Sequence, residues 1–399
     1  MEGWELRPLG DVCQVVNGGT PRTGVTDYWD GSHAWITPAE MGKAPSALVS
    51  STERTLSDTG LANSSAKLIP PNSVILSTRA PIGHLVINEV PMAFNQGCRG
   101  LVPGDLLTTK YLYYFLLHST PVLEGLGTGA TFKELSAGKL KGVQIPLPPL
   151  GEQERIVRIL DDTITNVERA RELVVDGSRK VQGLLDEFLD STITSLSDRW
   201  PVSSLGELAD FRNGVNYTKS SRGPVVSVIG VKDFQDHFYA PRNGLARVQL
   251  DSPLDPQDGV KSGDLLIVRS NGNPNLIGRC MVVADMDDQV AYSGFTIRTR
   301  LRDSESLMPT WVAWVLRSRS TRRLMVDQGT GTNIRSLNQG VLASIPMPLP
   351  PRHEQEIITD TLTKVNARAR QLGQSFAARL CALDQLRASL LHQAFTGQL

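Results

Sequence analysis

Two stretches of the chain are copies of one another, and each carries the spacing of a long helix. Glu152 to about Leu196 aligns with Glu354 to about Phe395 when 202 is added to each position. In the first copy the apolar positions are Ile156, Leu160, Val167, Val174, Leu184 and Phe188, with Thr163, Ala170 and Val181 between them. In the second they are Ile358, Leu362, Ala369, Phe376, Leu386 and Leu390, with Val365, Leu372 and Leu383 between them. Steps of four and three residues make one stripe along a helix, the seam of a coiled coil. About forty-five residues at roughly 1.5 Å each give a rod on the order of 65 Å. No isolated helix can bury such a stripe.

Charge suggests how the stripes are covered. Residues 151–199 hold seven basic and eleven acidic side chains, and residues 352–399 hold six and four. Opposite net signs favour the two helices packing on each other. The competing arrangement has each stripe packed on its own neighbouring domain. Before each helix stands a proline-rich stretch, Ile145 to Leu150 and Ile345 to Pro351, which reads as a stop for both strand and helix. The glutamates that follow suit the positive end of a helix dipole.

The segments before the helices also repeat. Trp4, Leu9, Gly10, Asn17 and Gly18 recur as Trp200, Leu205, Gly206, Asn213 and Gly214. A strand-like run ending at Arg79 resembles one ending at Arg269, and Ile82-Gly83 is answered by Ile277-Gly278. Tyr111 to Leu116 matches Trp311 to Leu316 as an apolar helix, and Gly127-Thr128-Gly129 matches Gly329-Thr330-Gly331. Residues 20–70 and 216–260 have little in common. The chain therefore divides into a module at 1–150, a helix at 151–199, a module at 200–351 and a helix at 352–399. Short β-branched runs at Val225 to Val231, Leu265 to Val268 and Cys280 to Ala284 predict strands, so each module is mixed α and β.

Little in the sequence supports catalysis. The six histidines form no HExxH-like pair, and Cys13, Cys98, Cys280 and Cys381 stand singly, as expected of ordinary buried or partly buried thiols. No metal site, phosphate loop or Asn-Pro-Pro-aromatic tetrad is present; Asn273-Pro274-Asn275-Leu276 is not that tetrad. The formal net charge is zero, so nucleic acid would have to be met through local patches or with basic partners. With no stretch of roughly 20 apolar residues, the expectation is a soluble, cytoplasmic protein.

What remains is recognition chemistry. Arginine and lysine at polar turns can fork onto guanine or phosphate, and asparagine can pair with adenine. Thr78, Arg79, Arg269, Asn271 and Asn273 sit at strand-to-turn positions. Lys133 and Arg335 follow the two Gly-Thr-Gly turns, and Thr20 and Arg22, with Tyr217 and Lys219, follow the Asn-Gly turns. These are the candidate DNA contacts. A solvated surface charge or a structural salt bridge is the alternative for each.

This layout resembles the DNA specificity subunit of type I restriction-modification systems, over essentially the whole chain. The ordered motifs occur twice: Trp4 to Gly10 and Trp200 to Gly206, GTGATFKEL from Gly127 and GTGTNIRSL from Gly329, IPLPPLGEQE and IPMPLPPRHEQE. The ending LLHQAFTGQL from Leu390 is similar too; Ser77 to Pro81 departs, standing where a Gly or Asn turn is expected.

The resemblance implies an α+β chain with two mixed target recognition domains, an internal pseudo-twofold repeat, and two long antiparallel coiled-coil helices that set the spacing of a bipartite, asymmetric DNA site. It implies a non-catalytic subunit that positions two methyltransferase subunits and restriction subunits. Those partners would bind S-adenosylmethionine, ATP and magnesium, and this chain would bind no cofactor. The rival reading is a scaffold that holds two protein partners without touching DNA.

Overall fold

The computed structural model describes residues 4–79, 81–129, 133–235, 237–286, 289–327 and 336–399. It divides into two compact units, one of residues 1–174 with 378–399 and one of residues 175–377.

In the first unit, β1 (Glu5–Pro8), the single turn α1 (Leu9–Val12) and β2 (Cys13–Asn17) open the chain. There follow β3 (Trp29–Ile36), α2 (Pro38–Met41), β4 (Leu48–Val49), β5 (Arg54–Leu56) and α3 (Asp58–Ala62). Then come β6 (Ser73–Ser77), β7 (Leu85–Asn88), β8 (Met92–Phe94), β9 (Cys98–Pro103), α4 (Thr109–Leu126), α5 (Ala137–Lys141), β10 (Gln144–Leu147) and the long α6 (Leu150–Arg199), of which residues to 174 belong to this unit. One sheet has the order β2-β9-β6-β7-β4, a second β5-β3-β8, and β1 pairs with β10.

The second unit repeats this. It holds β11 (Val202–Ser204), α7 (Leu205–Leu208), β12 (Ala209–Asn213), β13 (Val225–Ile229), β14 (Ala246–Gln249), β15 (Leu265–Val268) and β16 (Cys280–Val282). After them come β17 (Val290–Tyr292), β18 (Thr296–Leu301), α8 (Pro309–Arg317), α9 (Arg319–Asp327), α10 (Gln339–Ala343), β19 (Pro346–Pro348) and α11 (Arg352–Thr396), of which residues from 378 belong to the first unit. The sheets run β12-β18-β15-β16, β14-β13-β17 and β11-β19, which is the first unit's arrangement without β4. Both three-stranded sheets pair their central strand antiparallel on one side and parallel on the other. The two heads are copies of one topology.

The same residues close each copy. Tyr111 and Trp311 lie fully buried on α4 and α8 and donate to the carbonyls of Pro146 and Pro348, at 2.9 and 3.0 Å. The proline-rich stretches are not plain stops, as the sequence reading had them. Pro146 lies opposite Leu6 in β10, and Pro346 and Pro348 lie opposite Ser204 and Val202 in β19. Proline is compatible with these short, two-stranded ladders because its missing N–H falls outside the required bonds. The helix α6 then begins at Leu150, two prolines after the strand ends at Leu147.

Gln153 and Gln355 fasten the long helices to the heads. Each is buried; its side-chain oxygen accepts from the backbone N–H that starts α4 or α8, Thr108 at 2.9 Å and Met308 at 2.8 Å. The amide of Gln153 donates to Leu106 and Pro148, both at 2.9 Å, and that of Gln355 to Ser306 at 2.9 Å and Pro350 at 2.8 Å. One polar side chain thus satisfies three backbone groups that burial would otherwise leave unpaired.

Within each unit the long helices run antiparallel. In the first, Glu168 meets Arg387 and Arg171 meets Asp384, both at 3.5 Å, and Arg155 reaches the Leu399 carbonyl at 2.6 Å. In the second, Phe376 lies over Gly177, where an added Cβ would stand 3.3 Å from its ring, and Arg199 meets Glu354 at 3.4 Å. In two of these three ion pairs α6 supplies the cation, contrary to its net charge. Such exposed pairs are worth about 0–1 kcal/mol each; apolar burial carries the association.

The buried stripe departs from the sequence reading. Ile156, Leu160 and Val167 are buried and Val174 is half-buried, yet Leu184 is 65% and Phe188 40% exposed, and Ile164 is buried in place of Thr163. Leu189, Ile193 and Leu196 are the buried positions further on. A strict seven-residue repeat slips against a helix of 3.6 residues per turn, and these residues follow the second head's core, where they join Trp311, Val315 and Leu362. In α11, Leu362 is buried, Ile358, Ala369, Phe376 and Leu390 are half-buried, and Leu386 is 47% exposed. Leu391, Ala394 and Phe395 enter the first head's core with Tyr111, Phe115 and Ile156. Both arrangements weighed from sequence therefore occur, since helix ends pack into head cores as well as on each other.

Candidate nucleic-acid interface

Some of the candidate contacts, Thr20 and Arg79 in the first head and Tyr217, Arg269 and Asn271 in the second, lie around one turn in each head, between β8 and β9 and between β17 and β18. In the first head Gly18 makes this possible. Its N–H bonds to Cys98 O at 3.3 Å, and an added Cβ would lie 2.0 Å from Asn95 O. Gly214 holds the same place in the second head, with Tyr292 O and Ser293 O each 2.3 Å from an added Cβ. The loop after each Asn-Gly pair is thereby pressed onto the turn.

In the first head the Thr20 hydroxyl bonds to Gln96 and accepts from Asn95 Nδ2 at 3.0 Å. Arg79 packs its Cβ near Gly97 and pairs with Glu134 at 3.1 Å, and Arg99 reaches the same carboxylate at 3.5 Å. Thr128 and Glu134 exchange backbone bonds of 3.0 and 2.9 Å, closing the loop that carries exposed Lys133. Thr20, Gln96, Arg79, Arg99, Glu134 and Lys133 form one patch with three cations and one carboxylate. Arg22 is exposed, and its carbonyl accepts from the Trp29 indole at 3.3 Å. No bond joins its side chain to that patch among the described residues.

Thr78 is a correction. It is fully buried, its hydroxyl and N–H both donate to Gly97 O at 3.1 and 2.7 Å, and its carbonyl accepts from Leu135 N at 2.8 Å. A side chain without exposed surface fixes the turn and cannot touch DNA. A second correction follows from register. Ser77 pairs with Cys98 in β9 and Val268 with Thr296 in β18, so Arg269 is the counterpart of Thr78 and Ser270 that of Arg79. Aligning the two arginines is off by one residue, and in a strand one residue reverses the face.

In the second head, Arg269 N and Ser270 N both donate to Phe295 O, at 2.9 and 3.4 Å, and Leu337 N donates to Arg269 O at 2.8 Å. Half-buried Arg269 has an enclosed Nε without a hydrogen-bond partner among the described residues. Asn271 accepts from Asn273 N at 2.8 Å and Asn273 from Asn275 N at 3.0 Å, so the polar turn braces itself. Tyr217, Lys232, Ser270, Asn271, Gly272 and Phe295 line a hollow of about 370 Å³. Lys219 is exposed beyond it, and its carbonyl accepts from Arg222 at 2.8 Å. Arg335 and the second Gly-Thr-Gly turn lie outside the described residues.

Sequence reasoning missed Asn95, Gln96, Arg99, Glu134, Lys232 and Phe295. The usable signal was a polar or glycine-bearing break between two apolar runs, present at Asn95 to Gly97 and again at Ser293 to Phe295.

Burial pushes the thiols of Cys13, Cys98 and Cys280 up to about 12, which leaves them protonated near neutrality. Cys381 is exposed, unlike the buried thiol expected. Among the described residues no group of three or more His, Cys, Asp or Glu could hold a metal, and no helix is long and apolar enough to cross a membrane.

The chain is similar to known proteins. Residues 1–174 match the family described as type I restriction modification DNA specificity domain. The chain is 23% identical over its full length to the type I restriction enzyme StySPI specificity subunit of Salmonella potsdam, covering 89% of that protein. It is 29% identical over 56% of its length to the MjaIX specificity subunit of Methanocaldococcus jannaschii, covering 57% of that protein. A solved structure described as the basis of complex assembly and conformational transition of the type I R-M system superposes over the whole chain, with 99% of that chain covered, TM-score 0.76 and 19% identity. The HsdS subunit from Thermoanaerobacter tengcongensis does so with 97% covered, TM-score 0.53 and 19% identity. The chain is thus similar to type I restriction enzyme specificity subunits along its whole length, and it shares the fold of the solved ones.

Proposed function

We propose that this chain is the DNA-reading, non-catalytic subunit of a type I restriction-modification complex, with each head reading one half of a split, asymmetric site. The observation that carries the reading is one topology built twice, with different residues around the equivalent turn: Arg79 and Gly97 in one head, Ser270 and Phe295 in the other. Equal frames with unequal reading residues suit a bipartite site that is not a palindrome. Residues 1–150 and 200–351 are the recognition domains, and 151–199 and 352–399 the helices that space the half-sites.

Two methyltransferase subunits and the restriction subunits complete the cytoplasmic complex and hold S-adenosylmethionine, ATP and magnesium. Leu173, Leu184, Ile357, Leu372 and Leu386 are large apolar residues left exposed on the long helices, which supports protein docking there. Zero net charge supports a share of the phosphate contacts coming from those partners. A methylation map of cells carrying the chain with its methyltransferase tests this. The expected motif has two unlike parts around an unspecified spacer and disappears on deletion of the chain. A motif unchanged by deletion would instead favour a scaffold that does not touch DNA.

A further inference from the structure

The lining of the hollow in the second head suggests what it reads. Phe295 is 61% exposed, yet its backbone is clamped, because its carbonyl accepts from both Arg269 and Ser270. A large apolar ring held outward on a fixed turn is costly to leave in water. Its counterpart is Gly97, so the topology does not require it. Beside the ring stand the Asn271 amide, the Ser270 hydroxyl, half-exposed Tyr217 and, as the cation, Lys232. None of the described residues that line it is acidic. This combination suits the edge of a base pair next to a phosphate. Protein surfaces meet thymine methyl groups with phenyl rings, and asparagine pairs with adenine N6 and N7.

Building on the proposed DNA-reading role, we infer that Phe295 is a specificity-determining residue whose ring packs on the 5-methyl group of one thymine in the major groove of the second half-site, with Asn271 reading a neighbouring base edge. The hydroxyl, amide and ammonium groups around the ring favour this edge-on contact over insertion between bases, in which those groups would have no in-plane partner.

The test uses the full chain with its methyltransferase partner and a duplex carrying the mapped motif, in which each thymine of the second half is replaced in turn by deoxyuridine. Loss of the methyl group at one position should weaken binding roughly fourfold, the worth of one buried apolar carbon. Phe295→Ala should bind the thymine duplex that much more weakly and be indifferent to the replacement, while Phe295→Leu keeps part of the sensitivity. A base-pair substitution in the first half-site should weaken binding equally in the wild type and in both variants, which also reports that they fold and assemble.

Indifference of the wild type at every position, full sensitivity in Phe295→Ala, or a second half-site without an A·T pair would each overturn the inference. Failure of the wild type to prefer the motif over a scrambled duplex would instead overturn the DNA-reading role beneath it.

Discussion

Replacing Gln355 with leucine is expected to destabilise the second unit by about 3–5 kcal/mol, among the largest effects of any single substitution in this chain. Leucine matches the volume of glutamine, so packing changes little. What changes is that Met308 N–H and the carbonyls of Ser306 and Pro350 lose their partner in a site where Gln355 is only 1% exposed. Each orphaned group costs about 1–3 kcal/mol. The loss falls where α11 meets the start of α8, so it detaches the helix from the head that it serves. Urea unfolding followed by circular dichroism should show the transition at lower denaturant, and Gln153→Leu should act similarly on the first unit. A change below about 1 kcal/mol would mean that the three bonds are replaced by water.

Trp311→Ala is expected to cost about 3–5 kcal/mol through the cavity it leaves in the second head. Trp311 is fully buried, and its indole N–H donates to Pro348 O. The first head solves the same problem with Tyr111 and Pro146, so Trp311→Tyr should retain much of the stability lost in the alanine variant. The two variants, compared by the same unfolding measurement, separate ring volume from the hydrogen bond. Equal losses would show that the repeat in topology does not extend to this contact.

Much of the frame was legible in the sequence because duplication prints it twice. The order of landmarks from Trp4 and Trp200 to the long helices is the order of elements in both heads. The strands at Leu265 and Cys280 lie where their β-branched runs predict them. The heptad stripe was legible for Ile156 to Val167 and lost at Leu184 and Phe188, because a written repeat of seven does not include the drift of a real helix or the pull of the nearby head.

Glu152, Gln153 and Glu154 stood out as a repeated trio, but the physics noticed was the charge of the glutamates. The buried member is the glutamine, two of whose three partners lie 45 residues or more before it and do not show as a pattern. The candidate site was less legible for a related reason. Thr78 and Arg79 differ by one residue and opposite faces, and nothing local says which of the two matches Arg269. Only the pairing with β9 and β18 fixes that register. Phe295 was invisible as a candidate because an aromatic residue in a strand-rich stretch reads as core.

Exchange of residues 1–150 for the corresponding head of a related specificity subunit, followed by sequencing of methylated bases in cells that also carry the methyltransferase, bears most directly on the account. One half of the methylated motif should become the donor's, while the other half stays as it was. A motif altered in both halves, or in neither, would contradict two independent reading heads on one chain.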